Sequence, residues 1–124
     1  MNPPLIELSC QFTYEAAHWL PKVPADHQCH RMHGHSYQLT VTIRGPINDD
    51  DGMVYDFADI KYDVNKFVID HLDHQQLNTI IDNPTVENQL VFIWQQLADH
   101  LPGLCELTLR ETATNAATYK GTTA

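Results

Sequence analysis

Two segments with a period of two constrain what this chain can fold into. Ile6, Leu8, Cys10, Phe12 and Tyr14 alternate with Glu7, Ser9, Gln11 and Thr13. Further on, Tyr37, Leu39, Val41 and Ile43 alternate with Gln38, Thr40, Thr42 and Arg44. Successive side chains of a strand leave opposite faces, so each segment reads as a strand with one apolar and one polar face. The first runs on to Glu15-Ala16-Ala17-His18, and the second is headed by His33-Gly34-His35. His33 and His35 are two residues apart, so their imidazoles leave the same face, and His18 can supply a third from the neighbouring strand. Three neutral imidazoles with no fourth protein ligand describe a catalytic zinc with one position open. Zinc suits such ligands best, although iron, nickel or copper also accept them.

The rest of the chain supplies two helices and two further strands. From Leu20 to His33 the alternation breaks around Pro21 and Pro24, which marks a long functional loop. Gly45-Pro46 ends the second strand, and Asn48 to Gly52 is a polar turn. Asp56 is placed to cap a helix starting near Phe57, with Ile60, Val64, Phe67, Val68 and Leu72 on one stripe. A second helix follows Asn83-Pro84 with Thr85 as N-cap and Leu90, Ile93, Trp94, Leu97 and Leu101 facing inward, until Pro102-Gly103 stops it. Cys105, Leu107 and Leu109 then alternate as a third strand, and a short fourth runs near Ala117 to Lys120. The order ββααββ predicts an α+β fold: a four-stranded antiparallel sheet with both helices on one face. The other face is rich in Thr, Gln and Ser, and its edges are open to pairing. Those features favour sheets that join across subunits into an oligomeric barrel over a monomeric sandwich.

Length and charge narrow the function. The 124 residues suit one domain, 1–124. The net charge of −9 argues against nucleic acid and anionic membrane as partners. No apolar run approaches the roughly 18 residues of a membrane span. Met1 to Leu5 has neither the basic nor the apolar region of a secretory signal. Cys10, Cys29 and Cys105 are odd in number and far apart, which argues against a disulfide framework and for a cytoplasmic location. A small anionic substrate is compatible with a local positive pocket, because several of the seven cations lie near the histidines in sequence.

Four more residues carry possible chemistry. Cys29 has no apolar pattern around it, lies near Arg31, and is placed either to close the metal site as a fourth ligand or to act as an acid/base group beside an open one. Cys10 and Cys105 share the apolar parity of their strands and read as core residues. Asp73 and His74 close the first helix, either as solvated surface or as a carboxylate orienting an imidazole for proton transfer. Glu111 follows the apolar alternation of the third strand and would face the core side at its end. There it needs either a ligand edge bearing adjacent N–H donors or an ion pair with Arg31 or Lys120. His27, His30, His71 and His100 lack such a context and read as ordinary histidines. A Cys/His hydrolase is a weaker reading of the same residues.

Taken together, these residues resemble a known family. Phe12-Thr-Tyr-Glu-Ala-Ala-His18, Cys29-x-x-x-His33-Gly34-His35-Ser36-Tyr37, Met53-Val-Tyr-Asp-Phe57, Leu72-Asp73-His74, Leu77-Asn78, Asn83-Pro84-Thr85-x-Glu87-Asn88 and Glu111-Thr112 resemble the 6-pyruvoyl-tetrahydropterin synthase superfamily over nearly the whole chain. The three residues between Cys29 and His33 look like the 6-carboxy-tetrahydropterin synthases of queuosine biosynthesis; pyruvoyl-forming relatives typically place five there. The resemblance implies a tunnelling fold, trimers paired into a hexamer, and active sites between subunits. It implies zinc on His18, His33 and His35, with Cys29 as proton-abstracting group, Asp73 and His74 as relay and Glu111 as pterin anchor. The implied substrate is 7,8-dihydroneopterin triphosphate, with Lys22, Arg31 and Lys120 as candidates for its phosphates. His30 departs from the pattern, since carboxy-forming relatives often have a small residue there.

Overall fold

The computed structural model describes residues 2–124; Met1, which begins the segment read above as lacking a signal, lies outside them. Strands β1 (Leu5–His18) and β2 (His33–Pro46) pair antiparallel along their whole length, from Leu5 opposite Pro46 to His18 opposite His33. Between Phe12 and Ala16 the even-numbered residues of β1 are buried, and from Tyr37 to Ile43 the odd-numbered residues of β2 are buried. Both therefore face the same layer, as the alternation requires. Strand β4 (Leu104–Arg110) pairs with β2, and β5 (Ala116–Tyr119) with β4.

The expected four-stranded antiparallel sheet is present and gains one short parallel edge. Gln75–Gln76, labelled β3, pairs with Ala16 and Ala17, so the order is β3-β1-β2-β4-β5 and the sheet is mixed. Two residues give no readable periodicity, and their pairing comes from the turn that precedes them. Helix α1 (Phe57–Val64) continues through a π-helical turn (Asn65–Ile69) into α2 (Asp70–Leu72). Its N-cap is Asp56, whose carboxylate accepts the Ala58 N–H. Helix α3 (Val86–Leu97) is capped by Thr85, whose hydroxyl accepts the Asn88 N–H. Both helices cover one face, where Leu39, Val41, Ile60, Val64, Ile93, Leu97, Leu107 and Leu109 form the core.

The opposite face is laced by side-chain hydrogen bonds between strands. Ser9 meets Thr42 at 3.1 Å, Gln38 donates to Gln11 at 3.2 Å, and Thr108 meets Thr118 at 3.0 Å. Among the described residues, β1 before Ala16 has no strand on its outer side, and β5 has none on its own.

One strand departs from its alternation. The register between β2 and β4 shifts between Thr42 and Ile43, so Glu106 faces Thr42 while Leu104 faces Ile43. Cys105 occupies this bulge. The extra residue turns its thiol out of the core, 3.5 Å from the Thr42 carbonyl and beside Glu7. Cys105 is therefore half-buried, unlike Cys10, which is in the core as expected.

The turn from α3 into β4 depends on Gly103. Its φ is +85°, and a Cβ there would stand 2.5 Å from the Arg44 carbonyl oxygen, while its own carbonyl accepts the Arg44 N–H at 2.8 Å. Replacing Gly103 by Ala sets a left-handed backbone against a fixed carbonyl. The expected loss is about 1–3 kcal/mol in denaturant unfolding, and an unchanged midpoint would contradict it.

Candidate metal centre

The paired ends of β1 and β2 bring the three histidines together. His18 and His33 are cross-strand partners, and His35 lies two residues along on the same face. One ring nitrogen of each lies within 4.8 Å of the other two. His18 is 1 % exposed, so the group sits at the rim of the core and not on open surface. His27, His30, His71 and His100 take no part, and neither does the Cys29 thiol, so the fourth-ligand reading of Cys29 has no support among the described residues.

Backbone carbonyls set the tautomers. His18 Nδ1 lies 2.7 Å from the Pro84 carbonyl oxygen, and His33 Nδ1 lies 2.7 Å from that of Arg31. A carbonyl only accepts, so each Nδ1 carries the proton and each Nε2 keeps its lone pair. The two Nε2 atoms are 3.0 Å apart. In neutral rings no proton lies between them, and two lone pairs that close call for a cation. Adjacent nitrogens on a tetrahedral zinc would be about 3.3 Å apart, given metal–nitrogen bonds of about 2.0–2.1 Å. His35 Nε2 is buried without a hydrogen-bond partner. Three histidines can thus hold a metal ion, and their chemistry fits a divalent one.

Burial favours the neutral form of His18 and His35. It lowers the His18 pKa, a shift the Pro84 hydrogen bond partly opposes and the neighbouring His33 reinforces. The His35 pKa is also lowered by burial, against a raising effect of Glu111. The Tyr37 hydroxyl is pushed well above the usual tyrosine range, chiefly by burial. It stays protonated, 3.3 Å from both ring nitrogens of His18.

Cys29 and Glu111 open onto the same side of this group. Cys29 lies on a 3₁₀ turn (Gln28–His30) held to the end of β1, its carbonyl accepting the Leu20 N–H at 2.7 Å. A cavity of about 450 Å³ is lined by Cys29, His33, His35, Glu111, Thr112 and Asn115. Glu111 lies just beyond β4, which ends at Arg110, and its side chain keeps the strand's parity, reaching the sheet face that carries His35. Its N–H bonds to the Asn115 carbonyl, and Oε1 stands 3.7 Å from His35 Nε2. The ion pair offered for it goes elsewhere, because Lys120 reaches Glu106 at 3.8 Å.

Asp73 and His74 are brought together but not to Cys29. Asp73 Oδ2 accepts from His74 Nδ1 at 2.9 Å, and Oδ1 accepts the Glu15 N–H at 2.9 Å. These bonds hold the Asp73 pKa below the ordinary range, the Glu15 bond first. His74 has φ of +61°, a conformation costly for a residue with a Cβ. Its side chain is 78 % exposed and borders a different cavity, about 520 Å³, with Glu15, Gly34 and His35.

Sequence reading missed two supports. Asn78 clamps both main-chain polar groups of Trp19, the residue after His18, accepting its N–H and donating to its carbonyl, each at 2.9 Å. Gln89 is fully buried under the histidines. Its signal was a polar residue four positions before Ile93 and eight before Leu97, on the stripe that faces the core.

Comparisons with known proteins find relatives over most of the chain. A family model described as 6-pyruvoyl tetrahydropterin synthase matches residues 7–122. A Synechocystis protein named 6-carboxy-5,6,7,8-tetrahydropterin synthase is 35 % identical, with 88 % of each chain covered. A Dictyostelium discoideum protein named 6-pyruvoyl tetrahydrobiopterin synthase is also 35 % identical, over 76 % of this chain and 74 % of that one. The structure of Caenorhabditis elegans 6-pyruvoyl tetrahydropterin synthase superposes with a TM-score of 0.88 at 28 % identity, covering 98 % of this chain and 99 % of that one. No helix among the described residues is long and apolar enough to cross a membrane.

The lowered histidine pKa values set a pH dependence. Below the ordinary histidine value of 6.5, unfolded chains take up protons that folded His18 and His35 refuse. Their contribution is complete above that pH and is lost as pH falls through the lower folded values. Chelator-treated protein should therefore lose Tm steadily between pH 7 and 5. A Tm flat across that window would contradict the assignment.

Proposed function

The chain belongs to the 6-pyruvoyl tetrahydropterin synthase family, and from that premise we propose that it is a zinc-dependent lyase of the 6-carboxy type. It converts 7,8-dihydroneopterin triphosphate and water to 6-carboxy-5,6,7,8-tetrahydropterin, acetaldehyde and triphosphate, in the cytoplasmic synthesis of queuosine. The observation that carries the reading is the convergence of three imidazoles, two with tautomers set by carbonyls, beside a cavity that also holds a thiol and a carboxylate. The choice of the carboxy type rests on the three-residue spacing from Cys29 to His33 and on the Synechocystis relative.

The residues divide the work as follows. His18, His33 and His35 hold zinc, which supplies Lewis acidity toward the substrate's side-chain hydroxyls. Glu111 accepts two adjacent N–H donors of the pterin ring and so sets how far the side chain reaches toward the histidines. Cys29 Sγ takes a proton from the side chain. His74 donates Nδ1–H to Asp73, which leaves Nε2 to accept or return a proton on its exposed side. Cys29 and His74 border different cavities of one chain, so the relay joins Cys29 of one protomer to Asp73 and His74 of another. The unpaired edges of β1 and β5 are the surfaces for that assembly, a trimer that pairs into a hexamer. Lys22 and Arg31, exposed on the loop that carries Cys29, are the candidates for the triphosphate, whereas Lys120 is engaged by Glu106.

The deciding experiment incubates zinc-loaded protein with dihydroneopterin triphosphate and follows pterin mass and aldehyde. Acetaldehyde with a one-carbon side chain supports the proposal. A retained three-carbon side chain assigns the chain to the pyruvoyl-forming reaction instead, a reading favoured by the equally similar Dictyostelium protein. Cys29→Ala should lower kcat by about 10²–10⁴-fold with zinc content unchanged. If zinc is lost with the thiol, the site is a closed, non-catalytic one.

A further inference from the structure

We propose that Gln89 is a positioning residue for the metal centre: its buried amide holds the Pro84 carbonyl and the Tyr37 hydroxyl in the places from which they orient His18. The inference rests on the reading of the three histidines as metal ligands.

Gln89 lies in the first turns of α3, and its side chain folds back over the start of the helix. It is 0 % exposed. Nε2 donates to the Pro84 carbonyl at 3.0 Å and to the Tyr37 hydroxyl at 3.4 Å, and Oε1 accepts the Tyr14 hydroxyl at 2.8 Å. Both amide hydrogens and the amide oxygen are thus used within the core, which is what a buried amide requires.

Each partner but Tyr14 then acts on His18. The Pro84 oxygen has two lone pairs, and these serve Gln89 Nε2–H and His18 Nδ1–H. The second bond makes His18 Nε2 the lone-pair nitrogen and aims it at His33. Tyr37, accepting from Gln89, stands within hydrogen-bond reach of both ring nitrogens, 3.3 Å from each, and so braces the ring. Tyr14 stacks on Tyr37 with ring centroids 5.0 Å apart and holds the amide from its other end. An apolar residue of the same length would fill the space as the neighbouring stripe residues do. It would leave the Pro84 carbonyl fixed only by His18, the Tyr14 hydroxyl with no acceptor, and Tyr37 without the N–H that places it beside the ring.

Partners of metal-ligating histidines typically shift metal affinity by about 10–100-fold when removed. Gln89 acts one bond further out, so Gln89→Leu should weaken zinc binding by about tenfold, near the low end of that range. The measurement is zinc competition against a chromophoric chelator on the full chain, together with the visible absorption of Co²⁺ at the site, which reports ligand geometry. Leu97→Ala is the control, since it opens the same helix face without touching the network. The proposal expects weaker zinc binding and a shifted Co²⁺ spectrum in Gln89→Leu, with both unchanged in Leu97→Ala. Zinc affinity within twofold of the unsubstituted chain, or equal losses in both variants, would overturn it. Where the leucine variant does not fold, Gln89→Met is read in its place, being unbranched and lacking the N–H. Should the unsubstituted chain bind no zinc at all, the metal reading itself falls and this inference with it.

Discussion

The pairing of β1 with β2 is the constraint on which the rest depends. Fourteen residues of each strand meet in an unbroken register, and the last pair is His18 with His33. A slip of one residue would send His18 to the opposite face and put Tyr14 and Phe12 in water. The hydrophobic alternation that buries Phe12, Tyr14, Tyr37 and Leu39 therefore also sets the geometry of the histidines. The energy that enforces the register is ordinary core burial; the three histidines occupy its last rungs.

The same end of β1 is held from outside by the segment that follows α2. His74 N–H and Asp73 Oδ1 take the Glu15 carbonyl and N–H, at 2.6 and 2.9 Å. Gln75 and Gln76 pair with Ala16 and Ala17, and Asn78 clamps Trp19. Residues 15 to 19 thus have hydrogen-bonding partners on both sides, although the rest of β1 has an open edge. The left-handed backbone of His74 is a consequence of this docking: the chain leaves helix α2 and must turn at once onto the strand. Its imidazole is left pointing to solvent, oriented by the carboxylate that also anchors the backbone. Asp73 thus ties the β1 backbone and the His74 ring together, so its loss would release both.

Much of this was legible in the residues. Strand parity, the Asp56 and Thr85 caps, and the three histidines follow from side-chain direction and local hydrogen bonding, which short windows of sequence contain. What escaped depends on partners far along the chain. The bulge that turns Cys105 outward arises from a mismatch between β2 and β4, which the alternation of β4 alone does not show. Glu111 reaches the side that its parity predicts, but it does so from the turn after β4, where its N–H is taken by the Asn115 carbonyl. Gln89 is visible as a polar residue on an apolar stripe. Its meaning appears only when Tyr14, Tyr37 and Pro84, from three separate elements, close around it.

The position of the histidines at the rim of the core, not at its centre or on the surface, has a physical reason. Deeper burial would close off the open side of any ion that the three nitrogens hold. Full exposure would let the rings protonate near their ordinary pKa and turn freely. At the rim, burial lowers the pKa values of His18 and His35 enough to favour the neutral form. The price is that each buried Nδ1–H needs an acceptor. Backbone carbonyls meet that need without adding a charge, whereas a carboxylate in the same place would raise the pKa values that burial lowers. Among the described residues, Glu111 is the carboxylate drawn close, at 3.7 Å from His35 Nε2, and it stands on the open side of the group, where it borders the cavity. The division between neutral acceptors behind the rings and a single negative group in front leaves the donor set oriented from the core and addressed from solvent.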